Sequence, residues 1–308
     1  YTDSMHMATC GMTRLTQTKP MWNENCSTCK VCVDCDCTVF VCTVTAINII
    51  TMCGVLQVML GSIPEKYAWF MSLLGMRGSV TVGQKHLAEL KNSKSSLSQE
   101  ATILLFTIKG FINQFFGEAA KGMLEYLKEQ PDNRLALFIT INMLMKDSQS
   151  ETALELFQTL EKNNQGLPMY YADYLHGDAL LQKGEYQKAI TYYQKFQKGY
   201  RSLSFKKDSY YKIAICYWLL NDHVNSKISF EKAKTIGKES AEPDKYAAKQ
   251  LEESQMPNQK LLKARFATDG GYYEQANAAL QSIGATELKT IIQLALFLFS
   301  IPMPPYNQ

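Results

Sequence analysis

The sequence has almost no surplus of charge of either sign. Its 308 residues include 32 Lys and Arg and 29 Asp and Glu, which leaves a net charge of +3. Proteins that bind nucleic acids concentrate Lys and Arg in a basic patch, and here no basic cluster stands clear of interleaved acidic residues. We therefore expect no nucleic-acid partner. The 46% of hydrophobic residues are enough to cover a substantial core, which excludes a disordered chain.

The common motifs of catalysis and nucleotide binding are also missing. The sequence contains no Gly-x-Gly-x-x-Gly, no phosphate-binding loop ending in Gly-Lys-Ser/Thr, no Gly-x-Ser-x-Gly and no His-Glu-x-x-His. Its four histidines are scattered, and His176 stands directly before Gly177 in a helical stretch, where a structural role is favoured over a catalytic one. The sequence predicts a protein that is not an enzyme.

Cysteine is nearly absent after residue 53, because eight of the nine cysteines precede residue 54 and the ninth is Cys216. Four of the eight, spaced three residues apart, could hold one tetrahedral zinc ion through their thiolates: Cys26, Cys29, Cys32 and Cys35. The run lacks the long loop that divides an ordinary zinc site, and Asp36 stands where a bacterial ferredoxin has Pro. We expect that this segment holds no defined site and that the protein has no cofactor. The alternatives are that the cysteines bind zinc or an iron–sulfur cluster, or that they form disulfides.

A second alternative for the N-terminal part of the chain is that it spans a membrane. Residues 38–61 are uncharged for long enough to cross a bilayer, but four Thr together with Asn48 and Gln57 weaken that interpretation. The apolar run at 291–301 is too short to span. No export signal is visible, which favours a cytoplasmic location over a periplasmic or membrane-associated one.

Composition predicts an irregular Cys-rich segment at 1–53, a helical region at 54–284, and a capping helix with a Pro-rich tail at 285–308.

Six internal repeats give the strongest pattern. Each copy reads as a helix, a short break and a second helix with a small residue five positions after the break. The pairs of break and small residue are Gly78 and Gly83, Gly117 and Gly122, Ser148 and Ala153, Gly184 and Ala189, Asn221 and Ser226, and Gly271 and Ala276. The breaks are 39, 31, 36, 37 and 50 residues apart. Because Gly or Asn readily ends a helix and a small residue allows close helix packing, the pattern predicts an all-α solenoid of stacked helical hairpins.

The clearest copy, "YYADYLHGDALLQKGEYQKAITYYQKFQKGY" at 170–200, resembles the tetratricopeptide repeat. The positions that carry the resemblance are Gly177, Leu180, Gly184, Tyr186, Ala189 and Tyr193. A wider resemblance rests on "VLQVMLGSIPEKYAWFMSLLGMRGSV", "FKKDSYYKIAICYWLL" and "LLKARFATDGGYYEQA". These runs look like repeat proteins of Bacteroidetes, which are similar to the tetratricopeptide-repeat protein 39 and inclusion-body-clearance family. The resemblance covers about residues 54–284 and implies a non-enzymatic helical-repeat protein; both ends of the chain depart from it.

The first helices of such hairpins line a concave face that commonly binds partners. The repeat register places an aromatic, mildly acidic set of side chains there: Asn142, Tyr171, Tyr174, Asp178, Asp208, Tyr211 and Trp218. Tyr and Trp often anchor partner peptides, so we expect a scaffold that binds a protein or peptide on this face. The competing interpretation is that these aromatics pack only against neighbouring helices. The Lys and Asn that a chaperone-tail clamp of this repeat class would need are replaced by Tyr174 and Asp178, which disfavours acidic chaperone tails.

Overall fold

The computed structural model describes four stretches of the chain, namely residues 53–73, 78–163, 165–253 and 256–284. Every regular element within these stretches is a helix, and the helices form tetratricopeptide-like hairpins, so the predicted fold class is confirmed. Contacts divide the chain into two compact units, Tyr1–Ala101 and Thr102–Gln308. The boundary predicted near residues 54–62 remains a prediction. Among the described helices, none is long and apolar enough to cross a membrane.

The first unit contains a helical segment at 53–61, helix α1 (Glu65–Leu73) and helix α2 (Val80–Lys91). Ser79 begins α2 by accepting a hydrogen bond from the N–H of Val82. Gly83 lies where α2 meets the segment at 53–61, since a Cβ atom there would lie 2.5 Å from the carbonyl oxygen of Gly54. The predicted small residue therefore does permit close helix packing in this copy.

Ten of the remaining eleven described helices pair into five hairpins. They are α3 (Ser98–Phe111) with α4 (Phe116–Glu129), α5 (Arg134–Lys146) with α6 (Ser150–Lys162), α7 (Tyr170–Lys183) with α8 (Tyr186–Gly199), α9 (Lys206–Leu219) with α10 (His223–Thr235), and α12 (Gln259–Asp269) with α13 (Tyr273–Gln281). The unpaired helix is α11 (Glu242–Leu251). Its presence between α10 and α12 explains the 50-residue interval before the last repeat.

The turn between the two helices of a hairpin requires a residue with positive φ. Four of the predicted breaks adopt that conformation: Ser148 (φ 54°), Gly184 (φ 87°), Asn221 (φ 62°) and Gly271 (φ 82°). The small residues five positions later, Ala153, Ala189, Ser226 and Ala276, are all buried. The register predicted for these four copies is therefore correct.

The break predicted at Gly117 is wrong. The residue with positive φ is Gln114 (φ 61°), and Gly117 lies in the first turn of α4. Five positions after Gln114 comes Ala119, which is completely buried. Gly122 still marks a close approach, because a Cβ atom there would lie 2.2 Å from the Phe106 ring. The prediction failed because glycine was taken as the break residue, whereas here the fold places glutamine in the left-handed region.

One hydrophobic cluster in the second unit extends from Ala119 on α4 to Leu262 on α12. Within it, Gly177 faces the ring of Tyr193, where a Cβ atom would come within 2.7 Å of the ring carbon Cε1. This contact joins the two helices of the α7–α8 hairpin and confirms the small-residue position assigned to Gly177.

Helix α11 supplies the carboxylate that caps the N-terminus of α9. Phe205, at the start of α9, has φ 63° and offers no side-chain cap. The buried carboxylate of Asp244 on α11 replaces that cap, since its Oδ2 accepts from the N–H of Phe205 at 2.6 Å and its Oδ1 from the N–H of Asp208 at 3.0 Å. Helix α11 is therefore tied to α9 by hydrogen bonds that satisfy otherwise orphaned donors.

Candidate functional site

The seven side chains predicted to bind a partner all lie on the first helices of three successive hairpins, α5, α7 and α9. We call the side of these helices that carries Asn142, Tyr174 and Tyr211 the first-helix face. Partner binding by these seven side chains remains a prediction. The geometry does establish which of the seven side chains contact one another.

Tyr174, Asp208 and Lys212 meet where α7 packs beside α9. The Tyr174 hydroxyl donates to Asp208 Oδ2 at 2.6 Å, and the Lys212 ammonium donates to the Tyr174 hydroxyl oxygen at 2.7 Å. Lys212 Nζ is also 2.9 Å from Asp208 Oδ2. Tyr174 and Asp208 are each 2% exposed, so these polar groups are paired inside the protein.

A second carboxylate, Asp178, joins the same group. Its Oδ1 accepts from Lys212 Nζ at 2.8 Å and from the hydroxyl of Tyr193 on α8 at 2.6 Å. Lys212 thus bridges two carboxylates that belong to successive repeats. We call the five side chains the Lys212 cluster: Tyr174, Asp178, Tyr193, Asp208 and Lys212.

The Lys212 cluster is a charge lock, meaning that one buried ammonium is paired with two carboxylates. Burial raises the pKa of the Asp178 carboxyl above its ordinary value, although the charge of Lys212 opposes this shift. Burial disfavours the ammonium of Lys212, but Asp178 and Asp208 outweigh it and raise the pKa of Lys212 above its ordinary value. Burial, reinforced by the same carboxylates, also raises the pKa of the Tyr174 and Tyr193 hydroxyls well above the usual range. Lysine and both tyrosines therefore keep their protons near neutral pH, and none of them is poised as a nucleophile or base.

Aromatic rings extend the first-helix face from the Lys212 cluster towards α5. Tyr171 stacks on Tyr174 with ring centroids 5.4 Å apart and meets Phe138 of α5 edge-on at 6.2 Å. Asn142 lies one turn after Phe138, and its side-chain amide donates to the Phe138 carbonyl oxygen at 2.7 Å. Phe138, Asn142 and Tyr171 are half-buried, so this part of the face keeps some exposed surface.

Tyr211 and Trp218 contact the C-terminal part of the second unit. Tyr211 is 6% exposed, and its ring lies 6.5 Å from that of Phe230 on α10. The indole N–H of Trp218 donates to the carbonyl oxygen of Pro257 at 2.9 Å. Both aromatics thus make intramolecular contacts, as expected if they pack against neighbouring parts of the chain.

Sequence reasoning missed Lys212, and it did not include Tyr193 among the candidate partner-binding residues. Lys212 follows Asp208 by four positions on one helix, a spacing that brings opposite charges together, and this signal was present in the sequence. The bond from Lys212 to Asp178 joins residues 34 positions apart and depends on how two repeats stack. That contact had no local signal.

His176 occupies a separate aromatic site on the other side of α7. Its ring stacks on Phe157 of α6 at 4.3 Å and on Tyr192 of α8 at 3.8 Å. Its Nδ1 is 3.6 Å from a carboxylate oxygen of Glu161. Burial, assisted by the positive charge of Lys195, lowers the pKa of His176 to about 4. His176 is therefore neutral at pH 7 and serves as a packed ring.

The predicted metal ligands Cys26, Cys29, Cys32 and Cys35 lie outside the described residues. In the part of the chain that the structure describes, no group of three or more His, Cys, Asp or Glu side chains is arranged to hold a metal ion. Zinc binding by the four cysteines remains a prediction.

Comparison with known proteins defines the class. The family model described as Tetratricopeptide repeat matches residues 142–203 and 174–236. Residues 142–236 thus match the tetratricopeptide-repeat family, whose proteins are generally non-catalytic scaffolds and whose repeats typically bind proteins or peptides. Among solved structures, the crystal structure of MamA protein is similar to this chain with a TM-score of 0.43 and 16% sequence identity, over 68% of this chain and 100% of that one. No curated protein matches the chain in sequence.

Proposed function

We propose that the chain is a non-enzymatic scaffold that binds a peptide or protein partner on the first-helix face, the surface that is concave in solenoids of this class. The tetratricopeptide repeats at 142–236 support this role, because such repeats typically bind proteins or peptides. A relationship to the Bacteroidetes repeat proteins and to the tetratricopeptide-repeat protein 39 family is part of the same proposal.

The observation that carries this proposal is the open aromatic surface between α5 and α7. Leu135, at the start of α5, is 53% exposed. One turn further along α5 lies the half-buried ring of Phe138, which contacts the half-buried ring of Tyr171 on α7. Large aromatic and aliphatic side chains at a surface bury much area with little loss of entropy when a partner covers them.

The test is partner capture by the full chain with Asn142 intact or replaced by Arg. Among the described residues, the Asn142 side chain hydrogen-bonds to the carbonyl oxygen of Phe138 in its own helix. Asn142→Arg therefore places a bulky charge on the exposed surface and leaves the Lys212 cluster in place. Proteins captured from a lysate of the native organism are quantified by mass spectrometry. We expect at least one protein bound by the natural chain to be lost from the variant.

The matched control is Thr191→Arg on α8, an exposed position on a second helix. Within the described part of the chain, its hydroxyl likewise donates to a carbonyl oxygen of its own helix, that of Gln187. Capture that survives Thr191→Arg and fails with Asn142→Arg places the partner on the first-helix face. If both variants capture the same proteins as the natural chain, the partner binds elsewhere and this part of the proposal is wrong.

A further inference from the structure

The hairpin α12–α13 does not continue the stack of repeats. Helix α12 packs against α7 and α9, the first helices of earlier hairpins, whereas α11 takes the place beside α9 and α10. On α12 the buried side chains are Leu262, Ala264 and Ala267. A helix of this chain therefore already covers part of the first-helix face.

One end of α12 is fixed at the C-terminus of α9. The carbonyl oxygen of Pro257 accepts the Trp218 indole N–H at 2.9 Å. The side-chain amide of Gln259 donates to the Trp218 carbonyl oxygen at 2.7 Å and to Asn221 Oδ1 at 3.1 Å. These three hydrogen bonds place the beginning of α12 over Trp218.

The other end of the hairpin is fixed at the turn between α5 and α6. The N–H of Ser150 donates to the carbonyl oxygen of Gly270 at 3.2 Å, and the Tyr272 hydroxyl donates to Glu151 Oε2 at 2.8 Å. Gly271 approaches this turn so closely that a Cβ atom would lie 2.0 Å from the carbonyl oxygen of Ser148. The hairpin thus spans the first-helix face from α9 to α5.

The contacts that hold α12–α13 include hydrogen bonds at both ends of the hairpin. The fully buried side chains of α12 are one Leu and two Ala, and Phe266 is partly buried against the hydrophobic cluster. By contrast, buried aromatic rings join α7 to α8. Because no fully buried aromatic ring of α12 holds this hairpin, we expect its release to cost less free energy than opening the core of the domain.

We propose that the first-helix face of α7 and α9 is a helix-binding surface, and that α12–α13 occupies it as an intramolecular substitute for the partner. This inference rests on the proposed scaffold function and specifies its partner. The partner segment is a helix with a narrow face of small apolar residues, like that of α12. Binding of this helix to α7 and α9 requires the release of α12–α13, whereas the exposed surface at Leu135 on α5 is accessible without that release.

The test uses a fluorescein-labelled peptide of residues 257–283 as a substitute for the partner helix. In the full chain, Gln259→Ala with Tyr272→Phe removes three hydrogen bonds from the chain's own hairpin, while the peptide keeps both side chains. Each hydrogen bond contributes roughly two- to tenfold, so the loss of three bonds should make the variant chain bind the peptide at least about tenfold more tightly than the natural chain, measured by fluorescence anisotropy. The matched control changes the exposed neighbours Tyr273→Phe and Gln275→Ala, and we expect it to bind as the natural chain does.

Hydrogen exchange gives a second readout that needs no peptide. In the natural chain we expect the amides of residues 259–281 to exchange at least tenfold faster than those of α7 to α9, because the hairpin opens on its own. Equal peptide affinity for the natural and variant chains would refute the proposal, and so would exchange of 259–281 only together with α7 to α9. If the peptide binds as expected but captured proteins are indifferent to Asn142→Arg and to release of the hairpin, the scaffold function fails while the intramolecular contact stands.

Discussion

The pH dependence of stability is expected to change when His176 is replaced by Phe. In the folded protein the ring lies between Phe157 and Tyr192, and burial lowers its pKa from 6.5 to about 4. In the unfolded chain the ring regains its ordinary pKa of about 6.5. The unfolded state therefore binds more protons between these two values, and the contribution of His176 to stability is present above pH 6.5 and is lost as the pH falls towards 4.

The size of the effect follows from the two pKa values of His176. Linkage gives a loss of about 2 kcal/mol in the free energy of unfolding between pH 7.5 and pH 5 for a group shifted in this way. His176→Phe cannot take up a proton and keeps a flat ring between its two neighbours. The variant should therefore lose about 2 kcal/mol less stability than the natural chain over this pH interval, with all other titrating groups shared by both.

The assay is urea unfolding followed by circular dichroism at pH 7.5 and at pH 5, with the free energy of unfolding obtained by linear extrapolation. His176→Gln, which also cannot titrate but loses the ring stacking, should be less stable at both pH values and show the same reduced pH dependence. If natural chain and both variants lose equal stability between pH 7.5 and pH 5, His176 is not the neutral buried ring that the structure describes.

Three further substitutions test the packing of the repeats. Gly177→Leu should lower stability by roughly 1–3 kcal/mol, seen as a lower thermal midpoint, because the new side chain meets the Tyr193 ring; an unchanged midpoint would contradict the register. Lys212→Met leaves two carboxylates without their ammonium partner beside buried tyrosines, and it should lower the free energy of unfolding by about 3–5 kcal/mol in urea. Lys232→Met, at an exposed site on α10, should lower it little. Equal losses from the two substitutions would refute the charge lock. Asp244→Ala removes the cap of α9 and should cost about 1–2 kcal/mol, with faster amide exchange in the first turn of α9; unchanged exchange there would exclude that capping role.

The hairpins could be predicted from the sequence because their determinants are local. A left-handed residue at Gly184 or Asn221 and a small residue five positions later are constraints that one hairpin imposes on its own sequence. The same reasoning failed at Gln114, since glutamine rarely adopts positive φ and nearby Gly117 offered a stronger signal. Local rules identify the preferred residue, and packing can impose another one.

The candidate site was predictable in position and not in its contacts. The register placed Tyr174 and Asp208 on neighbouring first helices, which is where the structure has them. That Lys212 would bridge Asp178 and Asp208, and that Trp218 would bond to Pro257, depends on distances between segments 34 and 39 residues apart. Such contacts are set by how repeats stack, and one sequence carries no periodic signal for them.

The cap that Asp244 places on α9 has a consequence for synthesis of the chain. The N–H of Asp208 donates to the carboxylate of Asp244, which lies 36 positions further along the chain, in a helix outside the α9–α10 hairpin. At about 5–20 residues per second, a ribosome adds Asp244 roughly 2 to 7 s after Asp208. During that interval α9 lacks the carboxylate that accepts from the N–H groups of Phe205 and Asp208. The α9–α10 hairpin is therefore synthesised before the residue that caps it. Its full set of hydrogen bonds forms only after α11, which lies outside the hairpin, has been translated.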